Sequence, residues 1–99
     1  MYNRQFLQLG HNEIEATILA MPRNYTSFDF CLEFERNHWQ TREAFIEIYM
    51  HRRHDRRHAI QIVHSQLMHT VNKCFHHLTR KVRTIPNPNG GDMSDWVRD

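Results

Sequence analysis

The chain has 99 residues, 39% of them apolar and eleven aromatic (Trp 2, Tyr 3, Phe 6), with a formal net charge of +2. That length makes one domain, and the apolar content is enough for a core, which excludes wholesale disorder. No run of eighteen apolar residues exists and no hydrophobic signal core follows Met1-Tyr2-Asn3-Arg4-Gln5, so a soluble cytoplasmic protein with no membrane partner is expected.

The near-neutral total hides a division. Residues 51–83 carry Arg52, Arg53, Arg56, Arg57, Lys73, Arg80, Lys81 and Arg83 against Asp55 alone, a charge of +7. Residues 1–50 carry four Arg against seven Asp/Glu (−3), and residues 86–99 carry Arg98 against three Asp (−2). The basic block also holds seven of the nine histidines. Cys31 and Cys74 have no C-x-x-C spacing and read as two apolar thiols in a reducing compartment.

Residues 2–9 fit either a short helix or an edge strand, ended by Gly10, and 1–10 read as a loosely attached segment. Asn12 with Glu15 three on resembles a capping box. Ile14, Ile18 and Leu19 then recur at helical spacing, and Pro22 stops the chain, which predicts a helix over 13–20. Residues 22–26 read as a turn. Thr26 with Asp29 is a second capping box, opening a helix to about Asn37. Phe28, Cys31 and Leu32 fall on one face of it and Phe30 and Phe34 on another, so it is expected to be buried on more than one side. Trp39 is expected to pack under the following junction. Thr41 is an N-cap candidate for a helix over 42–51, with Ala44, Phe45, Ile48 and Tyr49 as its inner stripe.

The basic block then poses a question of register. At 100° per residue, Ile60, Val63, Leu67, Val71, Cys74 and Leu78 lie within about 80° of one another. Extending that helix backwards puts Arg53 and Arg56 into the core, which is costly. The helix is therefore expected to begin at Asp55, a good N-cap whose charge suits the helix dipole, and to run to about residue 76. Residues 52–54 become a turn. The opposite face holds His58, Gln61, Ser65, His69, Asn72 and His76 without a carboxylate; Ile62 falls on that solvent side too. From Thr79 the period changes to two, predicting a strand to Ile85. Residues 86–91 are a loop with a strong Asn89-Gly90 turn signal. Met93, Trp96 and Val97 fit a return strand or a frayed tail, and Trp96 argues for docking.

The sum is a single mainly α (α+β) domain of three to four helices, with a helix-turn-helix and a C-terminal β-hairpin. This order resembles the winged helix-turn-helix DNA-binding domains, over about residues 13–98. It is a resemblance of element order and charge placement, and it departs in the length of the 55–76 helix and in the prolines of the hairpin loop. It implies a second helix of the pair in the major groove and a wing on the backbone or minor groove. Arg56, Arg57, Gln61 and Ser65 would then face the groove, and Lys81 and Arg83 would sit on the wing.

The residue chemistry agrees without the family. Arg pairs guanine in two-pronged fashion and Gln pairs adenine, while Lys and Arg neutralise phosphates and release counterions. The expected nucleic-acid residues are Arg52, Arg53, Arg56, Arg57, Gln61, Ser65, His69, Lys81 and Arg83. The expected partner is DNA, with RNA second, and homodimers are a known solution for such units. Unperturbed histidines gain charge between pH 7 and 6, so nucleic-acid affinity is expected to rise over that interval.

His51, His54 and His58 have a spacing that could bind zinc on a continuous helix, but the inferred turn separates them and no metal or other cofactor is expected. No phosphate loop, nucleophile elbow or catalytic carboxylate pair is present, and no enzyme is expected. The alternative reading is a compact protein–protein interaction module, such as an inhibitor or adaptor of a nucleic-acid-handling partner.

Overall fold

A computed structural model describes residues 4–50, 55–86 and 92–99. The chain runs α1 (Arg4–Ala20), β1 (Asn24–Thr26), α2 (Ser27–Asn37), α3 (Trp39–Met50), α4 (Arg56–Cys74), β2 (Thr79–Pro86) and β3 (Asp92–Arg98). It is an α+β domain with a C-terminal hairpin. The three strands form an antiparallel sheet in the order β1-β3-β2.

The ambiguous segment before Gly10 is helical. α1 consists of two helical stretches joined by a kink at Gly10 (φ −141°, ψ 20°). The glycine is there for space: a Cβ would lie 2.7 Å from Phe45 Cζ and 3.0 Å from Thr41 Cγ2. Phe6, one turn earlier, is fully buried and stacks on Phe45 at 4.1 Å, fixing residues 4–9 to the core.

Residues 22–26 are not merely a turn. Asn24–Thr26 form β1, with Tyr25 opposite Trp96. Three residues are too few to show a period of two, and their pairing partner lies some seventy residues away. The Thr26–Asp29 capping box forms as expected: Asp29 N–H donates to Thr26 Oγ1 (3.1 Å) and Thr26 N–H donates to Asp29 Oδ2 (3.0 Å). Only one side of α2 is buried, however, through Phe30, Cys31 and Phe34. Phe28 and Leu32 are 57% and 44% exposed, because no described element covers that face.

α3 starts at Trp39, two residues before the Thr41 cap candidate. His38 alone separates the two helices; its N–H donates to the Phe34 carbonyl (2.8 Å) and its carbonyl accepts from Arg42 N–H (3.0 Å). Trp39 is therefore at a helix start facing solvent, 59% exposed rather than packed under the junction. The inner stripe of α3 is Arg42, Phe45, Ile46 and Tyr49, and Ala44 is exposed.

α4 matches the sequence reading closely. Asp55 caps it, accepting from His58 N–H at 2.7 Å. Ala59, Val63, Leu67, Thr70 and Val71 are buried, with Ile60, Cys74 and Leu78 partly so. Ile62, expected in solvent, is partly buried and packed against the core. The hairpin also forms, pairing Thr84 with Ser94 and Ile85 with Met93, with a bulge between Lys81 and Arg83. Trp96 is buried and stacks on Tyr25.

Aromatic rings tie the sheet to the helices. Trp96, Tyr25, Phe30, Phe34, Phe45 and Phe6 form successive ring contacts at 4.1–6.3 Å. Beneath the sheet, Thr79 Oγ1 donates to the Val97 carbonyl (3.0 Å) and thus accepts from the Tyr25 hydroxyl (2.6 Å). These buried side chains fasten the sheet, β2 included, to α1, α2 and α3. No helix among the described residues is long and apolar enough to cross a membrane.

Candidate nucleic-acid interface

From Arg56 to Gly91 the chain contains no Asp or Glu. α4 and β2 fall inside that interval, and their outer surfaces are therefore short of anions.

At the start of α4, Arg57, His58 and Gln61 are exposed, followed by Ser65 one turn on and Asn72 further along. These side chains offer donors and acceptors suited to base edges and phosphates. His69 does not join them fully. It is half-buried, its Nε2 has no hydrogen-bond partner among the described residues, and burial lowers its pKa below the ordinary imidazole value. It takes up a proton at lower pH than an exposed histidine does.

Arg56 is exposed but occupied. Its Nη1 and Nη2 donate to the two Glu43 carboxylate oxygens on α3, at 2.9 and 2.5 Å. That two-pronged bond is the main reason the Glu43 carboxyl lies below its ordinary pKa. Arg57, next in sequence, has no ion pair among the described residues.

On the hairpin, Arg80, Lys81, Val82, Arg83 and Thr84 are all exposed. Arg83 Nε donates to Asp95 Oδ2 at 2.7 Å across the strands. Arg80 and Lys81 have no ion pair among the described residues. Arg52, Arg53, His51 and His54 lie outside the described residues, as does the turn expected at 52–54.

The structure thus separates the predicted basic residues it describes, with Arg80 added to them, into two groups. Arg56 and Arg57 open α4; Arg80, Lys81 and Arg83 follow its end. Between Arg57 and Arg80 lie residues 58–74, seventeen of the nineteen in α4, about 26 Å of helix, or about eight base pairs of duplex at 3.4 Å each. Gln61, Ser65 and Asn72 occupy the interval.

No protein-family model, curated protein or solved structure matches this chain. Function is therefore read from the residues alone. Among the described residues no group of three or more His, Cys, Asp or Glu is placed to hold a metal. Both cysteines are free thiols; burial pushes Cys31 up to about 12 and raises Cys74, so neither is a ready nucleophile.

Sequence reasoning missed the two carboxylates that modulate the site, Glu43 and Asp95. Glu43 lies thirteen residues from Arg56 on another helix, beyond any local spacing rule. It also missed Arg42, buried on α3 with Nη1 3.8 Å from Glu35 and 3.9 Å from Glu43.

Proposed function

We propose that the chain is a small DNA-binding protein, a transcriptional regulator by class, that applies the outer face of α4 to duplex DNA and reaches the backbone with β2. The observation that carries this reading is the placement of charge. Arg57, Arg80 and Lys81 are exposed without carboxylate partners among the described residues, at the two ends of a face of Gln61, Ser65 and Asn72. The order α3, α4, hairpin supports it by its likeness to winged helix-turn-helix domains. Exposed aromatics, which single-strand binders use as stacking platforms, are lacking on α4 and β2 among the described residues, which favours a duplex. Catalysis and cofactors have no part in this reading.

The test is binding of the folded protein to a random-sequence duplex, measured by fluorescence anisotropy across salt. The expected result is a steep fall of log affinity with log salt, at about 0.9 per phosphate neutralised. Arg57→Ala and Lys81→Ala should each weaken binding and reduce that slope by about one phosphate. Absence of binding at about 50 mM salt contradicts the proposal.

A second reading is favoured by Phe28, Leu32 and Trp39, exposed on the acidic half near Asp29 and Glu35. Apolar side chains rimmed by carboxylates suit a basic protein partner. In that case duplex DNA is not bound, and the chain is an interaction module.

A further inference from the structure

We infer that Glu43 is a specificity-determining residue of the proposed interface: it acts as an internal anion that withholds Arg56 from non-specific phosphates. The inference rests on the DNA-binding reading above and adds to it a residue that never touches DNA.

Three features support it. Glu43 offers Arg56 the same two-pronged geometry that a phosphate offers, so phosphate and carboxylate compete for one guanidinium fork. The pair is about half exposed, in water-like surroundings where ion pairs are weak and exchange readily. Finally, Glu43 is not stranded when Arg56 leaves. The Arg42 guanidinium remains 3.9 Å away and is itself steadied by Glu35 at 3.8 Å, so the exchange uncovers no lone carboxylate.

Arg57 sharpens the contrast. It is adjacent in sequence and exposed, yet has no carboxylate partner among the described residues. Arg57 can meet any phosphate, whereas Arg56 engages only where the DNA competes successfully with Glu43. Loosely held, non-specific duplex is the weaker competitor.

A purely structural role would have the pair fasten α3 to α4, and the experiment separates the two. Affinity for random duplex is measured across salt for wild type, Glu43→Gln, Arg56→Ala and the double variant, with thermal unfolding confirming that each is folded. Glu43→Gln is expected to bind about two- to fivefold more tightly, the range set by the weakness of exposed ion pairs. Its salt slope should steepen by about 0.9. The gain should disappear in the Arg56→Ala background. If Glu43→Gln does not fold, Glu43→Asp, which keeps the charge but shortens the reach, should show a smaller gain of the same sign.

The inference is overturned if the gain persists without Arg56, because a general field effect would then explain it. It is equally overturned if Glu43→Gln shows no gain while Arg57→Ala still weakens binding; the DNA reading survives that result. If no folded variant binds duplex at all, the DNA reading falls and the inference with it.

Discussion

Helices α1 to α3 and the α4–β2 segment handle charge in opposite ways. In the first region Arg36 and Arg42 are matched internally. Arg42 is buried beside Glu35 and Glu43, and Arg36 lies 3.8 Å from Glu33. The same region exposes Leu9, Leu19, Phe28, Leu32, Trp39 and Met50. In the second region α4 buries its apolar stripe and turns its basic and polar side chains outward. Where its arginines are paired, the carboxylates come from elsewhere: Glu43 on α3 and Asp95 on β3. A surface with carboxylates in excess asks for no external anion. A surface short of counter-ions does, and a polyanion supplies them. The net charge of +2 conceals this, because residues 1–50 (−3) and 86–99 (−2) together offset most of the +7 of residues 51–83.

The contrast implies that the first region carries stability and the second carries binding, and substitutions can break that division. Phe45 is fully buried between Phe6 and Phe34. Phe45→Ala should lose about 3–5 kcal/mol, a large part of the stability of a domain this size, whereas Gln61→Ala on the outer face of α4 should stay within about 0.5 kcal/mol of wild type. Chemical denaturation checks both, and comparable losses would dissolve the distinction.

Gly10→Ala gives a smaller effect with an informative sign. In an ordinary helix interior alanine is better than glycine by about 1 kcal/mol. Here the added methyl group meets the Phe45 ring, and overpacking should cost about 1–3 kcal/mol. A raised melting temperature would show that α1 and α3 are not so closely packed.

The smallest effect is a pH dependence between the regions. His64 on α4 is half-buried, and burial first, then the nearby Arg42, hold its pKa below the ordinary imidazole value, with Glu35 opposing. As pH falls below about 6.5, the ordinary value, the unfolded chain takes up this proton before the folded one, so protons favour unfolding. Stability should therefore be full at pH 7 and decline from about 6.5 downward. Denaturant midpoints between pH 7 and 5.5 should fall less steeply in His64→Gln than in wild type. Identical slopes would remove His64 from the account.

What the sequence made legible were features governed by short spacings. The Thr26 capping box, the Asp55 cap and the Val63–Leu67–Val71 stripe each depend on neighbours three or four residues away. Features set by distant partners were not legible. β1 exists because β3 pairs with it, Gly10 is needed because of Phe45, and Trp39 is exposed because α3 begins there, one residue after α2 ends. The site shows the same limit. Its residue types were readable, but the pairing of Arg56 with Glu43 was not. Counting outward from an Asn89-Gly90 turn pairs Arg83 with Trp96, one residue away from its observed partner Asp95, and in a strand one residue changes the face.

The central claim is that the arginines of α4 serve an external polyanion while those of α2 do not. It is tested most directly by comparing Arg57→Ala with Arg36→Ala, two exposed charges on opposite regions, for binding to the same random duplex across salt. The account predicts a slope lower by about 0.9 and weaker binding for Arg57→Ala, with Arg36→Ala close to wild type. Equal losses from the two substitutions would contradict it, since only total charge would then matter.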